Sequence, residues 1–177
     1  MNYPEGMNSD EISLDTLAGA AAMGAVAGLR SMMAPALLSQ AAHTGSINLE
    51  GTPFEFLSKQ RTADIAAAAA VLELVADKLP FIPNRTSVGP LLARAVSGGL
   101  AGAALSAARK KDWIPGAAVG ALSAVAAAFA GYLLRRALTT NGAPDFLVAL
   151  AEDTATVGLG VVTLRNEAGR INAITPL

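Results

Sequence analysis

An all-α, polytopic transmembrane helical bundle of about five spans is the fold class this sequence predicts, and three observations predict it. The 177 residues are 53% hydrophobic and only 15% charged, with a mean hydropathy of +0.44, whereas soluble domains carry about 25% charged residues. The charge is missing from long blocks rich in Ala and Gly rather than thinned evenly along the chain. One such block, 114–134, has no charge at all, so it lacks the polar stripe at period 3.6 that a soluble helix shows. A soluble bundle of Ala-rich core helices is the competing reading, because Ala is a strong helix former. The uninterrupted apolar circumference of 114–134 speaks against it. The composition also excludes a disordered chain and, with no Cys, a disulfide-stapled module or thiolate chemistry. A net charge of -1 and a pI near 5.8 leave no basic face for nucleic acid. The dyad alternation of a β-barrel is absent.

The elements follow in order. Residues 1–15 carry Glu5, Asp10, Glu11 and Asp15 but no Lys or Arg. That pattern predicts a short mobile acidic tail rather than a cleaved signal peptide, which begins with basic residues. A bilayer core about 30 Å thick needs roughly 20 apolar helical residues, and five windows supply them: 16–42, 62–79, 88–108, 114–134 and 146–164. Together they define a transmembrane domain over 16–164, followed by a short C-terminal tail over 165–177. Breakers separate the windows: Gly45, Gly51 and Pro53, then Pro80 and Pro83, then Pro115, then Asn141-Gly142-Ala143-Pro144. Only the first loop is long enough for an interfacial helix, which Phe54, Phe56 and Leu57 would anchor.

Lys and Arg near the helix ends set the expected topology of a multi-pass protein of the cell (inner) membrane. With five spans, Lys59, Arg61, Arg109, Lys110, Lys111, Arg165 and Arg170 fall on one side, and Lys78, Arg85, Arg135 and Arg136 on the other. The bias predicts an outside N-terminus and a cytoplasmic C-terminus. Small residues recur every fourth position: Ala20, Gly24 and Gly28; Gly98, Gly102 and Ser106; Gly116, Gly120, Ala124 and Ala128. Such ridges let helices approach closely, and they predict a homo-oligomer of at least two copies.

Ionised groups inside the windows carry the functional reading, because each costs about 2.5 to 3.5 kcal/mol at mid-bilayer and must find a partner or water. Arg30 interrupts the first window, Glu73 and Asp77 sit one turn apart in the second with Lys78 beside them, Arg94 opens the third, and Glu152 and Asp153 lie in the last. Arg94 has Gly98 and Gly102 at i+4 and i+8, which turns it toward other helices. Lys78, just before Pro80, is expected to snorkel to the interface. Two uses fit these residues. The carboxylates Glu73, Asp77, Glu152 and Asp153 could hold a proton or cation, with Arg30 and Arg94 as counter-ions or anion contacts. Alternatively all six form a closed structural network. Sequence spacing does not separate the two.

Enzyme signatures are missing. His43 is the only histidine and sits in a polar loop beside Thr44 and Gly45. No zinc-protease helix, nucleophile elbow, phosphate loop or dinucleotide fingerprint occurs. The expectation is therefore a protein without catalytic residues, metal or cofactor, although a membrane enzyme acting through Glu73, Asp77 or Glu152 is a further alternative.

Several blocks resemble the bacterial membrane family catalogued as domain of unknown function 4126. They are Gly28-Leu29-Arg30, Glu73-Leu74-Val75-Ala76-Asp77-Lys78-Leu79-Pro80, Arg94 with its glycine-rich span, Arg135-Arg136-Ala137, Pro144-Asp145-Phe146 and Ala149-Leu150-Ala151-Glu152-Asp153. The likeness runs over 16–164, with no proline directly after Arg94 as a departure. It implies an integral membrane protein and supplies no activity. The order Arg, then carboxylates, in spans one and two recurs in spans four and five, which suggests an inverted hairpin repeat of the kind secondary transporters use. The functional expectation is a lipid-embedded protein that binds or transports a small polar or ionic solute through its intramembrane charges. A non-transporting scaffold or assembly factor is the rival.

Overall fold

Small side chains at every fourth position decide which helices touch. The computed structural model describes residues 14–76 and 88–174. Among the described residues it is all-α: α1 (Leu14–Leu29), α2 (Met33–His43), a 3₁₀ turn (Glu55–Ser58), α3 (Gln60–Ala76), α4 (Val88–Ala108), α5 (Trp113–Thr140) and α6 (Asp145–Ile174). Gly98 and Gly102 of α4 face Gly120 and Gly116 of α5, while Gly24 and Gly28 of α1 meet Gly120 and Ala124. The first set of pairs descends along α5 and the second ascends, so α1 and α5 are parallel and α4 is antiparallel to both. The helices sit backbone to backbone: a Cβ on Gly98 would stand 2.6 Å from the Gly120 carbonyl oxygen and 2.7 Å from the Ala124 Cβ. The small-residue ridges are thus occupied inside one chain.

The first apolar window does not cross as one helix. Helix α1 stops at Leu29, and the chain turns through Arg30, Ser31 and Met32. Pro35 supplies the reason, since its ring excludes the residue 31 carbonyl and it has no N–H to bond it. Helix α2 then folds back. Arg30 pairs with Asp153, a Cβ on Gly160 would strike Leu37, and Leu38 and Ala42 share a core with Leu105 and Leu164. The loop that follows returns to where α5 begins, with Phe54 edge-on to Trp113 at 6.0 Å. Gly28 lies against Ala124 and Leu29 against Gly131, near the middle of α5. Helices α1 and α2 therefore form a hairpin whose tip stops about halfway along the longest helices. The loop at its base is sealed by the fully buried Ile47, Leu49 and Leu57, with a 3₁₀ turn where an interfacial helix was expected.

Helix α3 climbs from base to tip, since His43 Nδ1–H donates to the Ser58 carbonyl at its start and Glu73 reaches the hairpin tip near its end. Short connections hold the rest. Asp112 caps α5 by accepting from the Ile114 amide, and Arg135 clamps Asp145 across the turn into α6. Helix α6 runs antiparallel to α1, pairing Asp153 with Arg30 and Glu167 with the Gly19 end. It continues through Ile174, so most of the stretch expected as a tail is helix. The start of α1, the loop after α2, the turn 109–112 and the end of α6 all share the base of the bundle. The described loops keep the grouping the charge count gave. Only the start of α1 changes sides, because its window folds back, and the first hairpin of the expected repeat disappears with it. Asp77, Lys78, Arg85 and the tail over 1–13 lie outside the described residues.

Polarity is inverted relative to a soluble bundle. Arg30, Arg94 and Glu167 are 2%, 4% and 2% exposed, while Leu122, Leu92 and Ile65 are 71%, 60% and 70% exposed. Helices α4, α5 and α6 are long and apolar enough to cross a membrane, and at about 1.5 Å per residue the last two exceed a 30 Å hydrocarbon core.

Candidate functional site

Breaking a helix leaves amides without carbonyl partners, and at the hairpin tip a carboxylate from another helix takes them. The Ser31 amide donates to Glu73 Oε1 at 2.8 Å and the Met32 amide to Oε2 at 2.7 Å. No side chain of α2 itself caps this end. The negative charge also sits at the positive end of the α2 dipole. Beside it, Arg30 Nε donates to Asp153 Oδ1 at 2.7 Å, with Nη2 at 2.5 Å from the same oxygen. Arg94 is buried on α4 one turn before Gly98, which by the α4–α5 register places its backbone level with Gly28 and Ala124.

The sequence offered Arg30 and Arg94 as partners for Glu152 and Asp153. The structure pairs Arg30 with Asp153 and turns Glu152 toward Arg135, whose Nη1 is 3.8 Å from Oε2. Arg135 was counted among interfacial charges. It instead holds Asp145 with two bonds of 2.8 and 2.6 Å. Glu73, Arg30 and Asp153 thus meet at the tip, whereas Glu152 belongs to a neighbouring pair nearer the start of α6.

A second cluster at the base escaped the sequence reading. Arg109 donates from Nε to Glu167 Oε2 at 2.8 Å and from Nη1 to Thr16 Oγ1 at 3.2 Å, and its Nη2 lies 2.7 Å from the same carboxylate. Arg170 approaches Glu167 and Asp15, each at 3.6 Å. Gly19 makes the room, since a Cβ there would stand 2.7 Å from Glu167 Oε1. The charge count grouped Arg109 with Lys110 and Lys111 on one side of the membrane, whereas its guanidinium is buried on Glu167. The signal for Glu167 was its place fourteen residues after Asp153, about four helical turns, hence the same face of a helix that carries on.

Two clefts flank the hairpin. One of about 510 Å³ lies between α2 and α6, with Gln40, Thr44, Ser46 and Arg165 toward the base and Leu37 and Val161 deeper. Its α6 wall continues by steps of three and four to Asp153. The other, about 380 Å³, lies between α5 and α6 above the tip, walled by Leu29, Leu134, Leu138, Leu147 and Val148 with Arg135 and Glu152. Among the described residues no group of three or more His, Cys, Asp or Glu could hold a metal ion.

These features define an all-helical bundle of the membrane type, with leucines and isoleucines outside and buried ion pairs both beside a broken helix and at the base. The chain belongs to the family described as domain of unknown function (DUF4126), whose model matches residues 17–166. This is the family that the sequence blocks resembled. No curated protein and no solved structure matches the chain.

Proposed function

We propose that this is an integral membrane protein of the cell membrane that carries a small inorganic anion, with Glu73 as the proton carrier and the hairpin tip as the anion site. The observation that supports this most directly is the Glu73 carboxylate on the Ser31 and Met32 amides beside the buried Arg30. A carboxylate already occupies a position built from two amide donors at a helix N-terminus, which is anion-binding chemistry. Protonated Glu73 loses its charge, releases the amides and vacates the position for a solute anion, so one proton and one anion move together. Non-helical backbone at membrane depth is tolerated where protein or a water-filled path surrounds it, and broken helices with exposed amide ends form solute sites in secondary transporters. The α2–α6 cleft, with Arg165 toward its base and Asp153 on its line, serves as the approach. The positive-inside tendency puts the base, with Lys59, Arg61, Lys110, Lys111 and Arg165, in the cytoplasm. The reading assigns no catalytic residue.

A scaffold role is the second reading, and the Arg109–Glu167–Thr16 cluster favours it, since that network pins three helices together. The test uses purified protein in liposomes loaded with a pH-sensitive dye and given inward gradients of chloride, nitrate, sulfate or phosphate. Acidification of the lumen with at least one of them, lost in a Glu73→Gln variant that elutes as the parent does, supports the carrier. Acidification that survives in that variant removes Glu73 from the role, and none with any anion in the parent protein favours the scaffold.

A further inference from the structure

The α5–α6 cleft is unlike the anion site. Its walls are aliphatic, it lies above the hairpin tip, where α1 touches it through its last residue, Leu29, and it opens sideways between two helices of membrane-spanning length. Leu134 and Leu147 on its edges are 61% and 57% exposed, so in a bilayer its open side faces lipid tails. A volume of about 380 Å³ is within the range of dedicated ligand sites, about 300 to 1,000 Å³. Ionised groups occur at one end only. Arg135 is held there between Asp145 and Glu152, and the Asp145 side chain is 64% exposed. This end is where α5 finishes and α6 begins, at the level a headgroup occupies.

We propose that this cleft binds a single phospholipid with a zwitterionic, primary-ammonium headgroup, one of its two acyl chains lying against Leu29, Leu138 and Val148. The charge pattern selects the headgroup. Arg135 and Arg136 against Asp145 and Glu152 leave this end of the two helices without net charge, which gives an anionic lipid no advantage over a zwitterionic one. Arg135 offers donors to a phosphate oxygen. Asp145 and Glu152 offer acceptors to an ammonium, and a primary ammonium has three N–H donors where a trimethylated one has none. The site is separate from the anion position at Glu73, and its readout is a bound lipid rather than flux, so failure of one reading leaves the other standing.

Native mass spectrometry of the full chain, released from detergent and titrated with phosphatidylethanolamine, phosphatidylcholine or phosphatidylglycerol of matched chains, tests it. The expected result is one saturable adduct, with phosphatidylethanolamine bound about tenfold tighter than phosphatidylcholine, equivalent to about 1.4 kcal/mol, and phosphatidylglycerol no tighter than phosphatidylcholine. Ala151→Phe fills the cleft from an exposed position and should abolish the saturable adduct, while Glu152→Gln should narrow the preference over phosphatidylcholine. Phosphatidylglycerol binding as tightly as phosphatidylethanolamine overturns the proposal, as does a saturable adduct that persists in Ala151→Phe. A dimer dispersed by Ala151→Phe would overturn it too, by giving the cleft to a second copy. The headgroup ranking in the unaltered protein decides the matter even if a variant does not fold.

Discussion

Replacing Gly98 by alanine adds one methyl where two helices already touch. The new Cβ would lie 2.6 Å from the Gly120 carbonyl oxygen and 2.7 Å from the Ala124 Cβ. Ordinary carbon–oxygen contacts begin near about 3.3 Å, so α4 must move away from α5 by roughly 0.7 Å at that point. Neither obstacle can rotate aside, because one is backbone and the other is fixed to it. The displacement separates the Gly102–Gly116 contact as well, and overpacking of this kind costs about 1–3 kcal/mol. Gly158 provides the opposite sign: it lies within α6 with nothing near the place of a Cβ, so Gly158→Ala should stabilise by about 0.5–1 kcal/mol through helix propensity alone. Reversible unfolding in mixed micelles, followed by far-UV circular dichroism, measures both. A Gly98→Ala protein as stable as the parent would refute the backbone-to-backbone packing.

Two further predictions concern the buried charges. Glu167→Gln leaves Arg109, 6% exposed at its side chain, without its anionic partner and should cost about 3–5 kcal/mol in the same assay, whereas exposed Glu50→Gln should change stability by less than about 0.5 kcal/mol. A double-mutant cycle on Arg30→Gln and Asp153→Asn should give a coupling of about 0.5–3 kcal/mol, and additive effects would mean that the two side chains do not meet.

The fold class, the bounds of α4 and the core of α5 were legible because charge-free length and small-residue spacing are local signals. The reversal at Arg30 was not read, although Pro35 five residues later announces it. Hydropathy averaged over 16–42 stays high across a turn as readily as along a helix. Glu73 and Asp153 were picked out because a carboxylate in an apolar window is expensive wherever it points. Their partners were hidden, since Ser31 and Met32 contribute main-chain amides that no side-chain pattern encodes. Arg109 and Glu167 were passed over because each lies at the edge of an apolar window, where a charge is ordinarily solvated.

Everything proposed for the tip depends on α1 and α2 entering from and returning to one face of the membrane. The chain has no cysteine of its own, so single cysteines at Leu14, Glu50 and Asn141 can be probed with a membrane-impermeant maleimide in sealed vesicles of known orientation. The account predicts that positions 14 and 50 react from the same face and 141 from the other. Labelling of position 14 from the face of 141 would mean that the first window crosses the bilayer and that no re-entrant tip exists.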